Sequence, residues 1–245
     1  MGRVEAEALD GIPEIVPGHD LAAEIERAGG PFDEGDVLVI AHKAVSKAEG
    51  SVIDLDAVQP GERAVEIASA QGRDPRHVQV ILDQSVEVVR AERDVLICRT
   101  VHGFICANAG VDGSNSGADG RLVLLPADPD ASARRMRAAL SGRPAVVISD
   151  SFGRPWRLGQ ADVAIGIAGL APLDDWRGRR DSDGRELGAT WIAVADEAAA
   201  AADLARRQDG RQPAVRLRGL GEYVTGEDGP GAAALLRPAG EDLFA

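Results

Sequence analysis

Asp150 and Ser151 stand at the end of an apolar run, Val146-Val147-Ile148, with Arg154 and Arg157 close behind them in the segment DSFGRPWR. A short β-branched run is a strand signal. Gly153 and Pro155 predict that the strand stops at Ser149-Asp150-Ser151 and opens into a loop. In open α/β sheets, ligands sit beyond the carboxyl ends of strands. A carboxylate, a hydroxyl and two guanidiniums placed there suit a hard cation holding an anionic, phosphorylated ligand. Taken singly, the Asp reads as a turn former and each Arg as a solvated surface group. Crowded into eight residues, they read as a site.

A second stretch, His102 to Ser116, opens from apolar residues into Asn, Asp and Ser among glycines. Its Asp112 offers another hard-metal carboxylate, and Asn115 an amide able to read a base or ribose. Asp112-Gly113 is equally a hairpin-turn signal. Gly219 and Gly221 follow a predicted strand at Val215–Leu217. They could cradle phosphate with backbone N–H groups, and an ordinary turn accounts for them at least as well.

Of 27 basic residues only Lys43 and Lys47 are lysines. A compact ammonium is something Arg cannot imitate, so these two positions draw attention. With His42 and Ser46 they follow a predicted buried strand, Asp36 to Ala41, and so lie near its carboxyl end.

The chain has 245 residues and a net charge of −13, with 44% hydrophobic and 27% charged residues. That composition is ordinary for a globular protein with a substantial core. The acidic balance argues against a nucleic-acid surface. No apolar run reaches about 18 residues and no signal-peptide pattern is present, so no membrane association is expected and the protein is placed in the cytoplasm. Cys98 and Cys106 sit among apolar residues and read as core thiols in a reducing compartment. No cysteine or histidine metal spacing occurs, so a metal here would be a hard one with oxygen ligands.

Capping and periodicity predict helices over Leu21–Gly29, Pro60–Gln71, from Pro75, over Asp130–Leu140 and over Asp196–Arg207. Strands are expected over Asp36–Ala41, Gly50–Leu55, Val86–Val89, Val95–Cys98, Leu122–Leu125, Val146–Ile148, Thr190–Ala195 and Val215–Leu217. Asp174 to Gly188 is charged and glycine-bearing, a surface loop mobile unless a ligand orders it. The pattern alone reads as a doubly wound α/β protein, yet neither a Walker A motif nor a complete dinucleotide fingerprint occurs.

The blocks GIPEIVPGHDLA, GDVLVIAHKAVSKAEG, ANAGVDGSN, SDSFGRPWRLGQADVAIGIAGL and ATWIAVADEAAAAADL, taken together, resemble the coenzyme F420-0:L-glutamate ligases. The similarity runs in order from about Gly11 to the C-terminus. The ending LLRPAGEDLF is similar to the end of the ligase half of actinobacterial two-domain proteins. The resemblance implies an α+β fold of two subdomains with mixed sheets, about 1–72 with 210–245 and 73–209 in a single domain over 1–245, assembled as an intertwined homodimer. It also implies the activity: GTP-dependent addition of L-glutamate to the terminal carboxylate of F420-0 through an acyl-phosphate, with Mg2+ or Mn2+ at two sites and room for K+. Such phosphoryl transfer is mainly positioning and charge neutralisation, which agrees with the residues read unaided.

Carried over by position, Asp112 and Asp150 match carboxylates on one metal and Ser151 a hydroxyl ligand of a second. Lys47, His42, Asn115 and the segment Ile12-Pro13-Glu14-Ile15 match nucleotide contacts. Asp150, Lys47 and Arg154 are the expected catalytic residues. Two positions depart from the family: Ser151 where it usually has Thr, and His42 where it usually has Ser or Thr. A ligase of the same fold acting on another carboxylate, and a non-catalytic nucleotide-binding protein, are the rival readings.

Overall fold

Apolar residues without alternation mark a strand covered on both faces, and Val37 to Ile40 and Ala145 to Ile148 are all buried in a computed structural model of the chain. The structure describes residues 2–113, 120–207 and 210–242. In chain order the first half comprises β1 (Glu5–Ala8), α1 (Leu21–Gly29), β2 (Val37–Ala41), α2 (His42–Ala48), β3 (Val52–Asp54), α3 (Glu62–Gln71), α4 (Pro75–Asp83), β4 (Ser85–Glu92), β5 (Val95–Thr100) and β6 (Ile105–Ala107). The second half comprises β7 (Arg121–Val123), α5 (Pro129–Ala139), β8 (Ala145–Arg154), β9 (Arg157–Ala168), β10 (Asp174–Asp175), β11 (Trp191–Ile192), α6 (Val194–Ala205) and β12 (Ala214–Arg218).

The main sheet has the order β1-β12-β2-β8-β9. Only β2 and β8 pair in parallel within it, Val39 opposite Val147 and Ala41 opposite Ser149; its other neighbours are antiparallel. The fold is therefore mixed α+β, and the doubly wound reading of the bare pattern is corrected. Strand alternation with helices signals a parallel sheet only when each crossover returns in the same direction, and here β9 and β12 run against their neighbours.

Several local expectations hold for the stated reasons. Asp20 and Asp74 each cap a helix by accepting from a backbone amide, and Gly72 ends α3 in the left-handed region; α5, expected from Asp130, starts one residue earlier behind the cap Asp128. Ala195, Ala198, Ala199 and Ala202 lie buried along one side of α6, where small side chains let the helix approach β9 closely.

Two expectations are revised. β8 does not stop at Ser149: it continues to Arg154, because β9 pairs with it along that whole length and a bulge at Ile148/Ser149 absorbs the irregularity. Gly153 lies within the strand, and Pro155 and Trp156 make the hairpin turn. The segment from Asp174 is also braced rather than loose. β10 pairs with β11, Trp176 Nε1 donates to Asp174 at 2.6 Å, and Arg177 stacks 4.1 Å from the Trp191 ring centre. Arg177 also holds the Asp175 carboxyl well below the usual carboxylate range.

Buried apolar residues fall into two clusters. The larger surrounds the main sheet with α1, α2, α5 and α6. The smaller joins α3 and α4 to β5 and β7 through Ala64, Ala68, Val78, Ile81, Leu96 and Leu122. α3 and α4 thus share one core.

Candidate active-site cleft

Parallel pairing puts the carboxyl end of β2 beside the middle of β8, and this juxtaposition builds the site. α2 starts directly after β2, so His42 enters the cleft next to Asp150. His42 Nε2 lies 3.2 Å from Asp150 Oδ1, both largely buried. The amide of Ser151 donates to the same oxygen at 2.8 Å. His42 Nδ1 faces Ser46 Oγ at 3.5 Å. The Asp150 carboxylate accepts from Nε2–H, which leaves Nδ1 to pair with the Ser46 hydroxyl.

Lys43 and Lys47 are four residues apart on α2 and therefore share a face. Lys43 Nζ lies 2.5 Å from Asp112 Oδ2, and Lys47 Nζ 2.6 Å from Glu14 Oε1. Asp112 reaches the cleft because its backbone bridges to Val123, with N–H···O distances of 3.0 and 2.8 Å; it is not the tip of a tight hairpin. The cleft holds about 480 Å3 and takes its walls from Pro13, Glu14, Ile15, both lysines, His42, Asp112, Asp150 and Ser151. That volume suits a small-molecule ligand.

Not every candidate arrives there. Arg154 sits at the hairpin tip, donating to Leu158 O at 2.7 Å and Gly159 O at 3.4 Å. Because β8 runs on past Ser151, Arg154 and Arg157 are carried away from the cleft, and neither lines it. Ile12 is a core residue. Gly219 and Gly221 do not line the cleft either. A Cβ on Gly219, which has φ +94°, would collide with the Arg3 carbonyl, so this glycine serves close backbone approach. Asn115 lies outside the described residues.

Sequence reading missed a buried ion pair on the cleft wall. Asp162, on β9, is gripped by Arg206 just past the end of α6, and both line the cleft. A lone carboxylate inside the apolar stretch ADVAIG was the available signal. Asp203 joins them, and burial, then the Asp162 charge, raises its carboxyl above the usual range.

Asp112, Asp150 and Ser151 present hard oxygen donors to one space. Among the described residues no group of three or more His, Cys, Asp or Glu side chains could hold a metal unaided. The donor set fits a hard divalent ion that completes its shell with ligand or water oxygens.

Residues 11–219 match the family model described as F420-0:Gamma-glutamyl ligase. The chain belongs to this family. It is 44% identical to a coenzyme F420:L-glutamate ligase of Methanothermobacter thermautotrophicus, over 96% of either chain. It is 46% identical to one from Natronomonas pharaonis, over 98% of this chain and 94% of that protein, and 42% identical to one from Methanopyrus kandleri over the full length of both. The ligase family match spans every described segment that lines the cleft. Among the described residues no helix is long and apolar enough to cross a membrane.

Proposed function

We propose that the protein adds L-glutamate to the terminal carboxylate of coenzyme F420-0, using GTP and forming an acyl-phosphate. The observation that carries this reading is convergence: Lys47, Asp112, Asp150, Ser151 and Pro13-Glu14-Ile15, from four separate segments, line one cleft in a chain of this family. The γ-phosphoryl group passes to the F420-0 carboxylate, breaking the bond to GDP. The glutamate amine then attacks the acyl carbon, phosphate leaves, and the amine proton goes to solvent.

Lys47, oriented by Glu14, offers a compact charge to the triphosphate, and Lys43 lies next to Asp112 to balance that carboxylate. His42 fixes Asp150 by its hydrogen bond. Asp112, Asp150 and Ser151 would hold Mg2+ or Mn2+, which when bound would supply the charge neutralisation that phosphoryl transfer requires. A homodimer is part of the reading, supported by apolar side chains exposed on the β4-β5-β6 sheet and at the hairpin tip, among them Val86, Ile105, Trp156 and Leu158.

The test is mass spectrometry of the product from F420-0, GTP, Mn2+ and glutamate, with ATP in a parallel reaction. A γ-glutamyl adduct formed with GTP is expected. No mass gain on F420-0, or equal yield with ATP, contradicts the corresponding part of the reading.

A further inference from the structure

Asp162 is buried where a strand carboxylate has no packing role. The β8–β9 register sets it opposite Ser151, and only 4% of the residue is exposed. Ser151 Oγ donates to Asp162 Oδ1 at 2.6 Å. Ser149 Oγ donates to Oδ2 at 2.7 Å. Arg206 binds that same Oδ2 and also donates to Ser149 Oγ at 3.1 Å.

The direction of these bonds follows from chemistry. An ionised carboxylate only accepts, and a hydroxyl has one proton to give. The proton of Ser151 is therefore committed to Asp162, away from the cleft. What Ser151 presents to the cleft is lone pairs alone, the face a cation needs. Arg206 balances the buried charge, so Asp162 remains an acceptor for the two hydroxyls without a second counter-ion. We infer that Asp162, held by Arg206, is a positioning residue that turns the Ser151 hydroxyl into a ready-made ligand for the divalent ion.

The inference rests on the metal reading proposed above. Its test is Mn2+ alone, titrated into the full chain, with free Mn2+ read by electron paramagnetic resonance and no turnover involved. Wild type, Ser151→Ala, Asp162→Asn and the double variant are compared, with circular dichroism to establish folding. Disturbing the partner of a metal ligand costs about tenfold or more in affinity, so Asp162→Asn is expected to weaken Mn2+ binding by about tenfold. The double variant should bind no worse than the weaker single, because both changes remove one interaction.

A folded Asp162→Asn that binds Mn2+ like wild type overturns the inference, as does a double loss equal to the product of the single losses. A merely structural Asp162 would lower the melting temperature and leave Mn2+ affinity in place. If Asp162→Asn does not fold, Asp162→Asn with Arg206→Gln removes both charges and carries the same expectation. Wild-type protein that takes up no Mn2+ removes the metal reading itself, a result distinct from either failure above.

Discussion

His42 Nε2 and Asp150 Oδ1 meet at 3.2 Å across the parallel junction of β2 and β8. The contact ties the start of α2 to the carboxylate expected to carry most of the chemistry. Asp150→Asn keeps the shape and removes one charge, so it should fold normally and lose ligation at ordinary Mn2+ concentrations. His42→Ala should be less severe in turnover and should cost stability of about 1–3 kcal/mol, because a buried polar partner is deleted. Urea unfolding and an Mn2+ titration of turnover measure both; a folded Asp150→Asn with near-wild-type activity rejects the site.

Lys47 keeps 12% of its side chain exposed and is pinned by Glu14. A planar guanidinium cannot occupy that position with the same single-point geometry. Lys47→Ala is expected to raise the KM for GTP at least about tenfold, roughly a 1.4 kcal/mol loss. Lys47→Arg should recover only part of it. Equal KM values for Lys47→Arg and wild type would show that any cation serves.

Arg206 and Asp162 form an ion pair with 10% and 4% of their side chains exposed. Such a pair adds little over apolar packing, but breaking it strands a charge. Arg206→Met is therefore expected to destabilise the fold by about 3–5 kcal/mol, read as a lower urea midpoint. A loss below about 1 kcal/mol would mean that solvent reaches Asp162, as it does for exposed pairs.

The sites that the sequence made legible are those written in local chemistry. Helix caps at Asp20 and Asp74, the buried run of β2, and the placement of both lysines at its carboxyl end all follow from neighbouring residues. Arg154 lies at the hairpin tip rather than in the cleft because strand continuation depends on β9, a partner that no residue between Ser151 and Pro155 reveals. Asp162 was missed for the converse reason: its meaning lies in Arg206, 44 positions away. Gly219 resembles a phosphate loop in sequence, and only the passage of Arg3 and Val4, just before β1, beside it shows why glycine is required.

Cys98 and Cys106 face each other across β5 and β6 and are both buried. Burial raises both thiols, and Cys106 is pushed up to about 12 by burial first and by the Asp150 charge second. Neither is expected to react with iodoacetamide at pH 8 in the folded protein, since the thiolate is the nucleophile. Both should react after denaturation. Rapid single labelling of native protein, located by peptide mass, would contradict the burial of that cysteine.

His77 gives the protein a predictable acid limb. It is half-buried on α4, and its Nε2 is enclosed without a hydrogen-bond partner among the described residues. Burial lowers its proton affinity most and the Arg73 charge adds to this, while Asp74 and Asp112 oppose them. In the unfolded chain the ring takes up a proton near pH 6.5, and the folded chain resists that proton until a lower pH. Protons are then bound more by the unfolded state, so stability falls as pH falls. The contribution of His77 is fully present above about pH 6.5 and is lost progressively below it, down to the depressed value of the folded state. His77→Phe removes the titration and sacrifices no hydrogen bond at Nε2. Its unfolding free energy should match wild type within about 1 kcal/mol at pH 7.5 and exceed it increasingly from pH 6.5 to pH 5. Urea unfolding of both proteins across that range measures the difference, and parallel pH profiles would assign the acid limb to other groups.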